Sequence, residues 1–237
     1  MKLAYDLHIH SGLSPCAEDE MSPQNIVRMA KLKGLDLIAI CDHNSMKQQA
    51  ILSQVAQEHA LLIWYGVELE SKEEVHCLAY FRSLEDVQEM QTWIEQVQTR
   101  QLNNADYFGH QYLYTQQDEV MDEEKISLML SLDASLKACC EATHHHQGRL
   151  VLAHIYDRKN SITQQLGFIP QDLDFDGVEV NKVEDETRFR QEYPQFKAKP
   201  LFINSDAHTL GDIHDKLYTL STQSSDSFWR YACKTLP

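Results

Sequence analysis

The chain has 237 residues, a formal net charge of −15 at pH 7 and six cysteines. The length suits one α/β domain, and the acidic balance argues against tight binding to long nucleic acids, which draws its affinity from Lys and Arg contacts with phosphates. The spacing of the cysteines does not indicate a disulfide scaffold. No apolar run approaches the ~20 residues of a membrane span, and the first residues contain no apolar signal core. We therefore expect a cytoplasmic protein with no membrane partner.

Apolar, β-branched runs alternate with amphipathic segments along the chain. Strands are predicted at Leu3 to His10, Leu35 to Asp42, Leu61 to Leu69, Val75 to Phe81, Leu150 to Ile155, Gly177 to Val180, Leu201 to Asn204 and, more weakly, Leu217 to Leu220. A first helix is predicted from Ser22 and Pro23 to Gly34, and a second from Asn44 or Ser45. The order β, α, β, α, β is typical of a parallel sheet.

Residues 84–148 interrupt this alternation without a strong strand. Apolar residues from Val87 to Val97 follow helical spacing, and a further helix is predicted from about Asp133 towards Gly148. We therefore expect a single domain over residues 1–237 with a helical insertion at about 84–148, which either covers the mouth of the site or packs on the flank of the barrel. The run His144 to His146 is more typical of surface histidines at a helix end than of a metal site.

Residue types that bind metal ions gather at the predicted strand ends. His8 and His10 lie on one face of the first strand, because side chains alternate with a period of two. The same residue types recur at later strand ends: Asp42 with His43, Glu68, His76, His154, and Asp206 with His208. A single His or Asp at a strand end is usually a hydrogen-bonded loop residue. The recurrence favours a metal site, and ligands from many strand ends can meet only if the sheet closes or nearly closes into a barrel.

Mixed imidazole and carboxylate ligands suit zinc, manganese or iron better than calcium or magnesium. Glu68 is the predicted bridge between two ions, with Glu70 on the same strand face as the alternative, and a hairpin-like return would bring His76 to the same ion. Such a cluster lowers the pKa of a bound water and stabilises phosphoryl oxygens, which favours hydrolysis without a protein nucleophile. Arg158 and Lys159 are candidates for binding phosphate oxygens, the alternative being a solvated loop pair.

With these residues in view, the chain resembles the PHP family, the polymerase and histidinol phosphatase domain, over nearly its whole length. The matching motifs are His8 with His10, Asp42 with His43, Glu68 followed by His76, and His154, Asp206 and His208. The resemblance implies an α/β fold that is a distorted (βα)7 TIM-like barrel, with two or three divalent transition-metal ions (Zn, Mn or Fe).

The resemblance also implies three sets of ligands: His8, His10, Glu68 and Asp206 for one ion, Glu68, His76 and His154 for a second, and Cys16, His43 and His208 for a third. Family members usually carry His or Asp at the position of Cys16, so Glu18, Asp19 and Glu20 are alternative ligands there. Asp42 and Arg158 are the predicted catalytic residues, Asp42 by orienting a ligand and Arg158 together with Lys159 by binding the substrate.

These features predict a metal-dependent phosphoesterase that acts on a small phosphorylated metabolite or nucleotide through metal-activated water. Three alternatives stay open: an exonuclease that acts on short nucleic-acid ends, an amidohydrolase-type hydrolase, and a non-catalytic regulatory domain that keeps the metal site. The Asp42 and His43 motif argues against the amidohydrolase, and the nearly full ligand set argues against the regulatory domain.

Overall fold

The computed structural model describes residues 2–156 and 158–221. The strands are β1 (Lys2–Ile9), β2 (Leu37–Ile40), β3 (Leu62–Glu70), β4 (His76–Phe81), β5 (Tyr112–Tyr114), β6 (Val120–Glu123), β7 (Arg149–Leu152), β8 (Gly177–Val180), β9 (Leu201–Ile203) and β10 (Thr219–Ser221). The α-helices are α1 (Pro23–Leu32), α2 (Gln49–Glu58), α3 (Leu84–Val97), α4 (Ala105–Phe108), α5 (Leu136–His145), α6 (Ile162–Gln165) and α7 (Val183–Glu192), followed by a 3-10 helix at Pro194–Phe196. No helix in the described ranges is both long and apolar enough to cross a membrane.

Eight strands form one curled sheet in the order β10-β1-β2-β3-β4-β7-β8-β9. The pairs within β1-β2-β3 and within β7-β8-β9 are parallel, whereas β4 runs antiparallel to both of its neighbours and β10 runs antiparallel to β1. The prediction of a TIM-like α/β barrel is confirmed as a half-barrel rich in parallel strands. Within the described residues the sheet has eight strands rather than seven, because the weak run near residue 220 pairs with β1.

The curl of the sheet brings β1 against the segment that follows β9. Ile9 forms a parallel bridge with Ala207, and the backbone N–H of Leu7 donates to the side-chain oxygen of Asn204 at 3.0 Å. The carboxyl end of β1 and the segment after β9 therefore lie side by side, which joins the first and last predicted metal motifs.

Successive side chains of each strand point to opposite faces of the sheet, so the apolar core has two parts. One part lies inside the curl of the sheet, and the other lies between the sheet and the surrounding helices. In β2, Leu37 and Ala39 belong to the inner cluster with Leu7 and Tyr80, whereas Ile38 and Ile40 pack in the cluster that includes residues of α1 and α2. The prediction for α1 is confirmed, since this helix begins at Pro23 and buries one apolar face.

The prediction for the start of the second helix is wrong. Helix α2 begins at Gln49 rather than at Asn44 or Ser45, because Asn44 has a positive φ of 46° and its side chain is used elsewhere. The amide of Asn44 donates to the carbonyl of Leu128 at 3.0 Å, and its oxygen accepts the N–H of Glu70 at 3.0 Å. These bonds tie the loop after β2 to the end of β3 and to the segment that contains Leu128.

Residues 84–148 are not purely helical, which corrects the sequence prediction. Helices α3 and α5 pack on the flank of the sheet, but β5 and β6 between them form an antiparallel hairpin. This hairpin contacts the loop after β1: the N–H of Tyr112 donates to the carbonyl of Gly12 at 2.8 Å, and the hydroxyl of Tyr114 donates to the carbonyl of Asp19 at 2.8 Å. The segment therefore both flanks the sheet and supports the loop that carries Cys16.

Candidate metal centre

Glu68 lies at the centre of the predicted ligands, near the end of β3, with a buried side chain. Its Oε2 atom faces three imidazoles: Nε2 of His8 at 3.5 Å, Nε2 of His10 at 3.3 Å and Nδ1 of His43 at 3.2 Å. The Nε2 atoms of His8 and His10 are themselves only 3.2 Å apart. Ring nitrogens that converge in this way on one carboxylate oxygen form a donor set of the kind that binds a transition metal.

The other carboxylate oxygen of Glu68 faces a second group of ligands. Its Oε1 atom lies 2.9 Å from Nδ1 of His76 and 3.0 Å from Nε2 of His154. The alternative bridge, Glu70, accepts a hydrogen bond from Ser131 at 2.8 Å and contacts only the far nitrogen of His76, at 3.5 Å. The geometry therefore favours Glu68 over Glu70 as the residue that would bridge two ions.

Asp206 completes the group on the Oε2 side. Its Oδ1 atom lies 3.4 Å from Nε2 of His8 and 3.4 Å from Nε2 of His10. Asp206 has a φ of 54° and His154 a φ of 24°, so two predicted ligands occupy backbone conformations that side-chain-bearing residues rarely adopt. Strained backbone of this kind concentrates at functional sites.

Cys16 belongs to a third group, which lies at the exposed rim. The ligand atoms of His10, Cys16, His43 and His208 all lie within 4.8 Å of one another, and the His208 ring stacks on that of His10 with centroids 4.3 Å apart. The thiol fits this group, since a thiolate is a competent ligand for zinc. The residues of all three predicted sets are thus brought together in one place.

Asp42 lies behind the cluster rather than in its cavity, with its carboxylate buried. It accepts the N–H and hydroxyl of Ser11, both at 2.7 Å, and the hydroxyl of Ser14 at 2.8 Å. The oxygen of Ser14 in turn lies 3.0 Å from Nδ1 of His10. Asp42 is thus placed to orient His10 through Ser14, a connection that the sequence analysis did not identify.

Glu179 is a further buried carboxylate that the sequence analysis missed. It lies on β8 and places both oxygens 3.1 Å from Nδ1 of His8, on the side of the ring that faces away from Glu68. It also accepts the backbone N–H of His154 at 2.8 Å and the side-chain amide of Asn204 at 2.6 Å. The available signal was an acidic residue inside the apolar run Gly177 to Val180.

A cavity of about 280 Å³ opens above the cluster. Seven of the nine predicted ligands contribute to its wall. The other two, His8 and His10, are fully buried beneath it. Arg158, Lys159 and Asn160 form another part of the wall, and the Arg158 guanidinium lies 3.3 Å from Oδ2 of Asp206. Cationic groups and predicted ligands therefore share one small space.

The buried acids and imidazoles of the cluster shift one another's pKa values. Burial disfavours the charged ring of His8, yet Glu179 and Glu68 hold its pKa well above the ordinary value. In the same way, Glu68 outweighs burial and raises the pKa of His76 to about 10. Burial would raise the pKa of Glu68, but the surrounding imidazoles lower it well below the usual range. Protons on His8 and His76 would thus balance buried negative charge in the metal-free protein, a role that divalent cations would take over.

The sequence of residues 6–173 matches the family model of the PHP domain. An uncharacterized protein of Methanocaldococcus jannaschii is 33% identical over 87 residues, which are 36% of this chain and 10% of that protein. The lesion-specific endonuclease PfuEndoQ of Pyrococcus furiosus has a similar structure, with a TM-score of 0.66 and 20% identity over 89% of this chain and 49% of the endonuclease.

A "putative metal-dependent phosphoesterase" from Bifidobacterium adolescentis also has a similar structure, with a TM-score of 0.58 and 19% identity over 87% of this chain and 88% of that protein. At this level of identity, the structural likenesses establish the fold. The chain spans about a tenth of its archaeal relative and about half of the endonuclease.

Proposed function

Because this chain belongs to the PHP domain family, we propose that it is a metal-dependent hydrolase of phosphate esters, acting on a small phosphorylated metabolite or nucleotide. The observation that carries the proposal is that Arg158 and Lys159 line the same cavity as the clustered imidazoles and carboxylates. Guanidinium and ammonium groups are common binders of phosphate oxygens. Two positively charged side chains beside the cluster therefore favour an anionic substrate.

Each part of the cluster has a distinct role in this proposal. When bound, two or three Zn, Mn or Fe ions would activate a water molecule and stabilise negative charge on the phosphoryl group. Glu68 would help to hold two of the ions, since His8, His10 and Asp206 lie near one of its oxygens and His76 and His154 near the other. Cys16, His43 and His208 would hold the third.

The remaining residues would bind the substrate and hold the ligands in place. Arg158 would contact a phosphoryl oxygen, since its guanidinium is half exposed yet held at the cavity wall by Asp206. Lys159 would add a second positive charge on the same wall. Asp42 would act by fixing Ser14, and through it the ring of His10.

The size of the cavity and the overall charge favour small substrates. A volume of about 280 Å³ admits the phosphoryl end of a substrate more readily than a folded macromolecule. The net charge of −15 opposes extended binding to nucleic acid. Short nucleic-acid ends are the second candidate, favoured by the fold shared with a lesion-specific endonuclease. We also propose that residues 1–237 act as a single cytoplasmic domain, although residues 222–237 lie outside the described part of the chain.

The test is a screen of phosphorylated metabolites, short oligonucleotides and amides with the purified protein, supplied with Mn²⁺ or Zn²⁺. We expect turnover of phosphate monoesters that stops on chelation and is lost in His8→Ala and Asp206→Ala, while circular dichroism shows that both variants remain folded. Turnover of phosphate esters by these variants would refute the assigned site. Turnover of amides alone would favour an amidohydrolase, and full metal occupancy without any turnover would favour a regulatory domain.

A further inference from the structure

We propose that Glu179 is a positioning residue that fixes ligands of two different ions at once. This inference rests on the metal-dependent function proposed above, but it concerns a residue outside the predicted ligand sets. Glu179 is fully enclosed beneath the cluster, on a strand whose other side chains are apolar. A buried carboxylate is costly unless its oxygens are hydrogen-bonded or paired with charge, so the identity of its partners indicates what it does.

The first partner is the His8 ring. Both oxygens of Glu179 lie 3.1 Å from Nδ1 of His8, so this nitrogen donates to the carboxylate and Nε2 is directed towards Glu68 and Asp206. A carboxylate behind a ligating imidazole fixes both its tautomer and the rotation of its ring. Glu179 therefore sets the orientation of a ligand on the Oε2 side of Glu68.

The second partner belongs to the other side of Glu68. Oε2 of Glu179 accepts the backbone N–H of His154 at 2.8 Å, at a residue whose φ is 24°. The ring of this histidine reaches Oε1 of Glu68 at 3.0 Å. The hydrogen bond thus helps to hold the strained backbone from which a ligand of the second ion projects.

The third partner links this arrangement to the closure of the sheet. Asn204 donates its side-chain amide to Oε1 of Glu179 at 2.6 Å and accepts the N–H of Leu7 through its own oxygen at 3.0 Å. Three donors from β1, from the loop after β7 and from the segment after β9 therefore meet on one carboxylate. A glutamine at this position offers only one acceptor oxygen, so at least one of the three donors would lose its partner.

The experiment measures Mn²⁺ affinity by isothermal titration of metal-free protein, for the wild type, Glu179→Gln and Asp176→Asn. Asp176 precedes the same strand at its opposite end and bonds to His144 rather than to the cluster. We expect Glu179→Gln to weaken Mn²⁺ binding by about 10–100-fold, as outer-shell changes typically do. Asp176→Asn should leave the affinity unchanged. Wild-type affinity in Glu179→Gln would overturn the inference, whereas a wild type that binds no metal would instead refute the proposed function.

A double variant separates hydrogen bonding from charge. The double variant combines Glu179→Gln with Asn204→Asp, so the total charge is unchanged. The amide of residue 179 can then donate to one oxygen of the new carboxylate, and the other oxygen still accepts the N–H of Leu7. We expect this variant to regain Mn²⁺ affinity to within a few-fold of the wild type. A double variant that is unfolded, or that binds no better than Glu179→Gln, would overturn the hydrogen-bonding role. If Glu179→Gln does not fold, the Mn²⁺ affinity of the double variant relative to the wild type decides.

Discussion

Glu68 and His76 lie eight residues apart in the chain, yet Oε1 of Glu68 is 2.9 Å from Nδ1 of His76. The contact arises because β4 returns antiparallel to β3, which places His76 directly opposite Glu70 and next to Glu68 on the same face. One hairpin therefore supplies both the central carboxylate of the cluster and one of its imidazoles.

This arrangement predicts different effects for the two glutamates of β3. Glu68→Gln should lower Mn²⁺ affinity by more than the roughly 10–100-fold loss typical of outer-shell changes. A glutamine keeps only one oxygen and no negative charge, so one half of the cluster loses its oxygen ligand and the other keeps a weaker, neutral one. Glu70→Gln is the matched control and should retain bound metal, since Glu70 contacts Ser131 and only the far nitrogen of His76. Isothermal titration of metal-free protein measures the affinities, and elemental analysis of the purified variants measures the metal that they retain. Loss of metal in Glu70→Gln with retention in Glu68→Gln would reverse the assignment of the bridge.

Cys16 is expected to determine whether a third ion binds. Although Cys16 lies at the exposed rim, its thiol is desolvated beside the cluster. This desolvation and the nearby acids Glu68 and Asp206 raise the pKa of the thiol in the metal-free protein, so it stays neutral until a cation displaces the proton. Cys16→Ala should reduce the metal content by about one ion per chain, as expected for losing a ligand at one site. Cys16→Asp, which supplies another anionic ligand, should restore it. Equal metal content in the wild type and Cys16→Ala would exclude the thiol as a ligand.

Most of the sheet could be predicted because its strands are buried, apolar and β-branched. The hairpin β5-β6 could not, since β6 is largely exposed and carries no alternating apolar pattern. Its pairing depends on backbone hydrogen bonds and on contacts with the loop after β1, such as that of Tyr112 with Gly12. Likewise, the late start of α2 follows from tertiary bonds of the Asn44 side chain, which no local pattern reveals.

In the site, the sequence identified the candidate ligands better than the residues that hold them. The candidates follow strand ends, a placement that local patterns indicate. Glu179 is 171 residues away from His8 in the chain, and only the closure of the sheet makes them neighbours. Ser14 is close to His10 in sequence, but its role depends on Asp42, 28 residues further on. Asp42 was expected to orient a ligand, and its position behind His10 supports that proposal.

Arg158 is expected to affect substrate binding more than the metal content. Arg158→Gln should raise KM for a phosphate ester by about tenfold, because a charged hydrogen bond to phosphate contributes about 1.5–3 kcal/mol, part of which is lost to solvent at a half-exposed site. Steady-state kinetics at saturating Mn²⁺ measure this change. Arg28→Gln, on the exposed face of α1, is the control and should leave KM unchanged. Equal KM values for the wild type and Arg158→Gln would remove this residue from the substrate site.

Stability away from the metal centre is expected to depend on pH through His144. Nε2 of His144 lies 2.7 Å from Oδ2 of Asp176, and this hydrogen bond raises the pKa of the imidazole above its ordinary value. The interaction links the end of α5 to the segment before β8.

A histidine whose pKa is higher in the folded protein stabilises the fold fully at pH values below its unfolded pKa, about 6.5, and this contribution is lost as the pH rises through the folded value. His144→Gln should therefore lower the free energy of unfolding by about 1 kcal/mol at pH 6 and by progressively less at higher pH. Urea unfolding of metal-free protein at pH 6 and pH 9 measures the difference. His145→Gln, at the exposed neighbouring position, is the control for losing an imidazole from this end of the helix. A His144→Gln effect that is constant or grows with pH would contradict the raised pKa.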